Sequence, residues 1–176
     1  MFVNPKEVVE ALDIAPGMHI ADLGCGSGHY TFAAAKRLEG KGRVYAVDVH
    51  KDMLTKIAAE ADERGVFTVE VLWGDVEKGG GTHLADGAID AAICSNILFH
   101  VDDKDGLAQE CARILKGDGD VLVIDWSGSF GGLGPPEDRV VPLEETVKLF
   151  TRHGFELTRQ FEPGAPHYAL VFQKRT

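Results

Sequence analysis

Three glycines at alternate positions, Gly24, Gly26 and Gly28, follow an apolar run that ends in Asp22 and Leu23. Glycine lacks a Cβ, so the backbone can turn tightly there and bring main-chain amides against a small polar ligand. The spacing departs from the dinucleotide fingerprint G-x-G-x-x-G, because His29 stands where that pattern needs its last glycine. Asp22 suits a cationic amino group and would repel phosphates. Asp48 lies about 20 residues beyond the turn, the distance at which folds of this kind place an acid for a ribose diol. Its carboxylate can accept both hydrogen bonds of such a diol.

Other residues join this set. Asp75, between Gly74 and Val76, can accept from an adenine amino group while the next backbone amide meets a ring nitrogen. Met53, Leu54 and Trp73 offer apolar surface close by in sequence, and Cys25, Val49, Ser95 and Asn96 fall in the same motif regions. His100 is a candidate base for a phenol or enol, since imidazole titrates near neutral pH. His29, Tyr30 and Trp126 occupy loop tips on the same side. The histidines show no ligand spacing with Cys or acids, so no metal is expected.

The elements that position these residues alternate. Asn4, Pro5 and Glu7 read as a capped helix start. Strands are expected over His19 to Leu23, Arg43 to Val49, Phe67 to Val71, Ile89 to Cys94 and Val121 to Asp125. Between them, apolar residues at helical spacing predict helices from about His29 to Leu38, from Asp52 to Arg64, and around Leu107, Cys111 and Ile114. Ser127 to Pro142 reads as a long loop. A helix through Leu143, Val147 and Phe150 then precedes two strands, Phe155 to Phe161 and Tyr168 to Lys174, whose short connection makes them antiparallel. Repeated right-handed crossovers give an α/β, doubly wound, mostly parallel sheet, with ligands bound beyond the carboxyl ends of the strands.

Asp22-Leu23-Gly24-Cys25-Gly26-Ser27-Gly28, Val47-Asp48-Val49, Gly74-Asp75-Val76 and Cys111-Ala112-Arg113-Ile114-Leu115-Lys116-Gly117-Asp118-Gly119 resemble motifs of class I S-adenosylmethionine-dependent methyltransferases. The similarity is greatest to the small-molecule group that includes ubiquinone and menaquinone C-methyltransferases. The resemblance implies a Rossmann-like, seven-stranded sheet of order 3-2-1-4-5-7-6 with strand 7 antiparallel. It also implies S-adenosylmethionine as cofactor, with Asp22 and the glycines on its methionine part, Asp48 on the ribose, and Asp75 with Val76 on the adenine. Cys25, Val49, Met53, Gly74, Ser95 and Asn96 are expected to complete the cofactor site. Ser95-Asn96-Ile97-Leu98 departs from the Pro-Pro-aromatic pattern of nucleobase-amine methylases, and the three cysteines do not reproduce the set used by arsenite methylases.

Composition narrows the function further. A chain of 176 residues fits a single methyltransferase domain over residues 1–176. A net charge of −10 argues against a broad nucleic-acid footprint and favours a small-molecule substrate. No apolar stretch is long enough to insert in a membrane, no signal core follows Met1, and Cys25, Cys94 and Cys111 read as reduced thiols. A cytoplasmic protein is therefore expected. The alternatives are a nicotinamide-binding oxidoreductase, and a non-catalytic S-adenosylmethionine-binding subunit that needs a partner. Whether the chain forms a homodimer or joins a partner subunit stays open.

Overall fold

Strands buried on both faces organise the structure, a computed structural model that describes residues 3–130, 132 and 134–175. The first helix, α1 (Pro5–Val8), is capped by Asn4, whose side chain accepts from the Lys6 amide and donates to Glu7, and a 3-10 turn follows at once. Then come β1 (His19–Leu23), α2 (His29–Arg37), β2 (Arg43–Asp48), α3 (Lys51–Glu63) and β3 (Val69–Trp73). The second half holds β4 (Ile89–Ser95), α4 (Lys104–Ile114), β5 (Leu115–Trp126), α5 (Leu143–Arg152), β6 (Phe155–Gly164) and β7 (His167–Lys174).

The sheet order is β3-β2-β1-β4-β5-β7-β6. Strands β1 to β5 pair in parallel, and β7 runs antiparallel between β5 and β6. Order and direction match the sequence expectation. The chain order reverses at β1 and β4, which opens a crevice at their carboxyl ends.

Side-chain alternation along the central strands feeds two cores. Ile20, Val44, Ile93 and Ile124 pack with Val9, Ala34 and Leu38 on one face, while Leu23, Val47, Cys94 and Val123 pack with Leu107 and Ile114 on the other. Phe150 of α5 stacks on Phe172 at 4.9 Å between ring centroids and meets Phe155 edge-on at 5.6 Å, which fixes the helix against the β6-β7 hairpin. Burying a side chain of this size stabilises the fold by roughly 1.5–3 kcal/mol. Among the described residues, no helix is long and apolar enough to cross a membrane.

Two strand starts differ from the sequence reading by more than one residue, and β6 runs on to Gly164 where an end at Phe161 was expected. The fifth strand starts at Leu115, directly after α4, where a turn was expected before Val121. Leu115 is fully buried and pairs with Ile89, so the chain enters the sheet as soon as the helix ends, and the register shifts between Ile89 and Ala91 absorb the irregular stretch. The third strand starts at Val69 because Phe67 is 82% exposed and contributes nothing to the core. Within the long loop, Glu137–Arg139 forms a 3-10 turn, and Gly131 and Leu133 lie outside the described residues.

Candidate functional site

A cavity of about 860 Å³ lies at the carboxyl ends of the strands. Asp22, Gly24, Cys25, Gly26, Asp48, Val49, Met53, Gly74, Asp75, Val76, Ser95, Asn96 and His100 all line it. Gly28 does not. It caps α2 at φ +80°, and a Cβ there would fall 2.9 Å from Ile57, so this glycine serves the packing of α2 against α3. Gly28→Ala is expected to lower the melting temperature by about 2–6 °C, from a left-handed backbone cost of about 1 kcal/mol plus crowding. Thermal melting followed by circular dichroism checks this.

Each strand end delivers an acid or amide in a defined setting. Asp22, on β1, is 1% exposed, and its Oδ2 accepts the Thr31 hydroxyl at 2.5 Å. Burial pushes its pKa up to about 6; the Thr31 hydrogen bonds oppose the shift and nearby Asp48 adds to it. At the end of β2, Asp48 Oδ2 accepts the Gly26 amide at 2.9 Å, while Oδ1 accepts the His50 amide at 2.9 Å and lies 2.8 Å from His50 Nδ1. Asp48 thus binds the glycine turn to the β2 strand end, and Oδ2, with a single donor from the protein, retains lone-pair capacity for a ligand.

Beyond β3, Asp75 Oδ1 accepts the Glu77 amide at 3.1 Å and the Lys78 ammonium lies 2.9 Å from Oδ2, which together hold its carboxyl below the usual range. The loop that carries Asp75 and Val76 is anchored from beneath. The Asp75 amide donates to the Gly81 carbonyl, and Glu110 of α4 accepts from the Gly80 and Thr82 amides, the Thr82 hydroxyl and the Arg113 guanidinium. Those donors outweigh desolvation and pull the Glu110 pKa down to about 2.

After β4 the chain turns through Asn96, at φ +52°. The Asn96 amide donates to Ile124, and its Oδ1 is buried with no partner among the described residues. Asp125 of β5 steadies this turn: Oδ2 accepts the Leu98 amide and Oδ1 the Trp126 amide, each at 2.8 Å. Burial pushes the Asp125 pKa up to about 6.

Several expectations land elsewhere. Trp73 does not line the cavity; it is 53% exposed on the edge strand β3, where its indole donates to the Val49 carbonyl at 3.0 Å and the Lys51 ammonium lies 5.3 Å from the ring centroid. Leu54 joins Ala46 and Ile57 in a small core beneath the glycine turn. Cys25 is buried, and burial raises its thiol far above the usual value, so it packs and does not react. His100 is exposed at the rim; burial of part of its ring, then the charge of His50, holds its pKa below the ordinary value.

His29, Tyr30 and Trp126 line the cavity, as do His50 and His167, which the sequence reading did not single out. For His50 a signal exists: it lies two residues after Asp48, the spacing at which a carboxylate meets a following backbone amide. His167 carries no such local sign. The described lining holds Asp22, Asp48, Asp75 and Glu77 but neither Lys nor Arg.

Comparison with known proteins gives the family. Residues 20–119 match the model of the methyltransferase domain family. The chain is 33% identical to nocamycin O-methyltransferase of Saccharothrix syringae over 76% of its own length and 45% of that protein's. It is 27% identical to demethylmenaquinone methyltransferase of Lactiplantibacillus plantarum over 97% of this chain and 72% of the relative. It spans less than half the length of the first curated relatives it matches. The fold is similar to the crystal structure of an S-adenosylmethionine-dependent methyltransferase from Aquifex aeolicus, with a TM-score of 0.88 at 24% identity, covering 98% of this chain and 90% of that one. The matched residues carry the ends of β1 to β4, where the cavity is deepest in acids, and the chain belongs to the methyltransferase domain family, the class I proteins that use S-adenosylmethionine.

Proposed function

We propose that this protein transfers the methyl group of S-adenosylmethionine to a small organic acceptor. The observation that carries the reading is a cavity reaching from the β3 end to the β7 end whose described lining holds four carboxylates and neither Lys nor Arg. A cationic sulfonium with an ammonium group fits such a lining, whereas a pyrophosphate does not. The residues fit the cofactor in two further ways. A Cβ on Gly26 would meet nothing within 4 Å, so the turn leaves open space beside its amide. The Asn96 Oδ1 acceptor awaits a donor.

When bound, S-adenosylmethionine supplies a methyl already activated by the sulfonium charge, so the protein has chiefly to align and shield. Asp22 and the turn Gly24 to Gly26 hold the methionine part, with Ser95 and Asn96 across from them. Asp48 takes the ribose diol. Asp75 and Val76, with Gly74, Val49 and Met53, hold the adenine. His100, kept neutral at pH 7, takes the proton that the acceptor releases as it gains the methyl. The relatives support a small acceptor, since they include an O-methyltransferase for nocamycin and a methyltransferase for demethylmenaquinone.

Calorimetric titration with S-adenosylhomocysteine and with NAD, side by side, tests the reading. Binding of the first alone is expected, and binding of NAD alone overturns it. A methyl-transfer screen over hydroxylated and amino aromatics then tests turnover; cofactor binding without turnover on any acceptor favours a non-catalytic subunit. His100→Ala is expected to spare cofactor affinity and lower turnover.

The acid at β1 adds a pH signature. A cofactor ammonium beside Asp22 favours its carboxylate, while protonation at low pH removes that attraction. S-adenosylhomocysteine affinity is therefore expected to hold above pH 7 and to fall as pH drops through about 6, by at most about tenfold per unit for one proton. Asp22→Asn should flatten the profile, and titrations from about pH 5 to about pH 8, roughly one unit below the transition to two above it, decide it.

A further inference from the structure

The cavity extends past the strand ends that the cofactor reading uses. Neighbouring strands lie about 4.8 Å apart, so β3 to β4 spans about 14 Å of the sheet, and β5 and β7 add about 10 Å more. At that far end His167, the first residue of β7, stands opposite Trp126, the last residue of β5. Their ring centroids are 4.3 Å apart with the planes tilted by 44°. Gly134 backs the indole so closely that a Cβ there would fall 2.5 Å from the ring.

His167 is 8% exposed, yet it lines the cavity. Its Nδ1 is buried and has no hydrogen-bond partner among the described residues. Buried polar atoms in folded proteins are almost always paired, so an unpaired one on a residue that lines a cavity calls for a partner from outside the fold. Burial holds the imidazole below its ordinary pKa, with the Gly164 carbonyl only partly opposing, so the ring is neutral at pH 7. The acids at the other end of the cavity, with no Lys or Arg in its described lining, disfavour an anionic acceptor.

We propose that His167 and Trp126 form the acceptor subsite, and that it takes a neutral, planar hydroxyaromatic or enol whose hydroxyl bonds to His167 while its ring lies against Trp126. This rests on the methyltransferase reading above and adds to it the class of acceptor. A methyl ether of the same ring would leave the His167 nitrogen unpaired, and a carboxylate would meet the acidic field.

Fluorine NMR titration tests it, with protein saturated in S-adenosylhomocysteine and three probes: a fluoronaphthol, its methyl ether and the matching fluoronaphthoate. The naphthol is expected to bind about tenfold more tightly than the ether. The naphthoate should show no binding over the same range, and His167→Phe, which keeps an aromatic ring, should abolish the preference for the naphthol. Equal affinities for naphthol and ether, tighter binding of the naphthoate, or a preference that survives in His167→Phe would each overturn the proposal. The comparison within the unmodified protein stands even where the variant does not fold. Absence of S-adenosylhomocysteine binding would sink the methyltransferase reading and this proposal with it, whereas cofactor binding with no naphthol binding sinks the acceptor subsite alone.

Discussion

Asp48→Ala is expected to weaken S-adenosylhomocysteine binding by about tenfold or more, because each hydrogen bond to a charged group is worth roughly 1.5–3 kcal/mol. The carboxylate lies at the β2 strand end, 7% exposed, and already accepts the Gly26 and His50 amides. Two effects therefore add in the variant. The ribose loses its acceptor, and the glycine turn loses the oxygen that fixes the Gly26 amide. Gly26 is only partly buried, so water can take over its amide, and the melting temperature should fall by only a few degrees. Asp48→Asn, which keeps one carbonyl oxygen, should fall between the two. Calorimetry with melting curves as a folding control decides the matter; unchanged affinity in Asp48→Ala removes the ribose assignment.

The largest loss of stability is expected from Glu110→Ala. Its carboxylate is buried in α4 and gathers five hydrogen bonds, from Gly80, from the amide and hydroxyl of Thr82, and two from Arg113. Removing one partner of such a network leaves the donors unpaired, at a cost of about 3 kcal/mol. For a domain of this size that is a fall of about 10 °C in melting temperature. The pH dependence has a definite sign. A carboxylate whose folded pKa is depressed contributes its full stability above the ordinary value of 4.5, and that contribution is lost as pH falls toward about 2. The deficit of the variant should therefore narrow as the medium is acidified. A deficit that is constant between pH 7 and pH 3 (roughly neutral to mildly acid) would assign the loss to packing.

Much of this arrangement can be read in the sequence because it is local. The β1 strand, the glycine turn and α2 are contiguous, and their apolar spacing and turn residues state the geometry directly. The acids Asp48 and Asp75 are found because parallel strands all deliver their carboxyl ends to one edge of the sheet. What escapes the sequence depends on pairing between distant residues. Leu115 enters β5 early because it meets Ile89, and Trp73 turns outward because β3 lies at the sheet edge. His167 is the clearest case. Only the antiparallel register that sets Trp126 against His167 brings that histidine to the cavity, and no pattern within either strand specifies it.

The position of β7 has a consequence for synthesis. The strand comes last in the described order yet sits inside the sheet, between β5 and β6. Until it emerges from the ribosome, β5 offers Val121 to Ile124, fully buried in the finished fold, as an open apolar edge. The half of the sheet built from β1 to β4 makes no strand pairing with β7 and can assemble first. The nascent chain thus gains the acid-lined half of the cavity before the wall that holds His167, and the interval between them is when it is most exposed to aggregation.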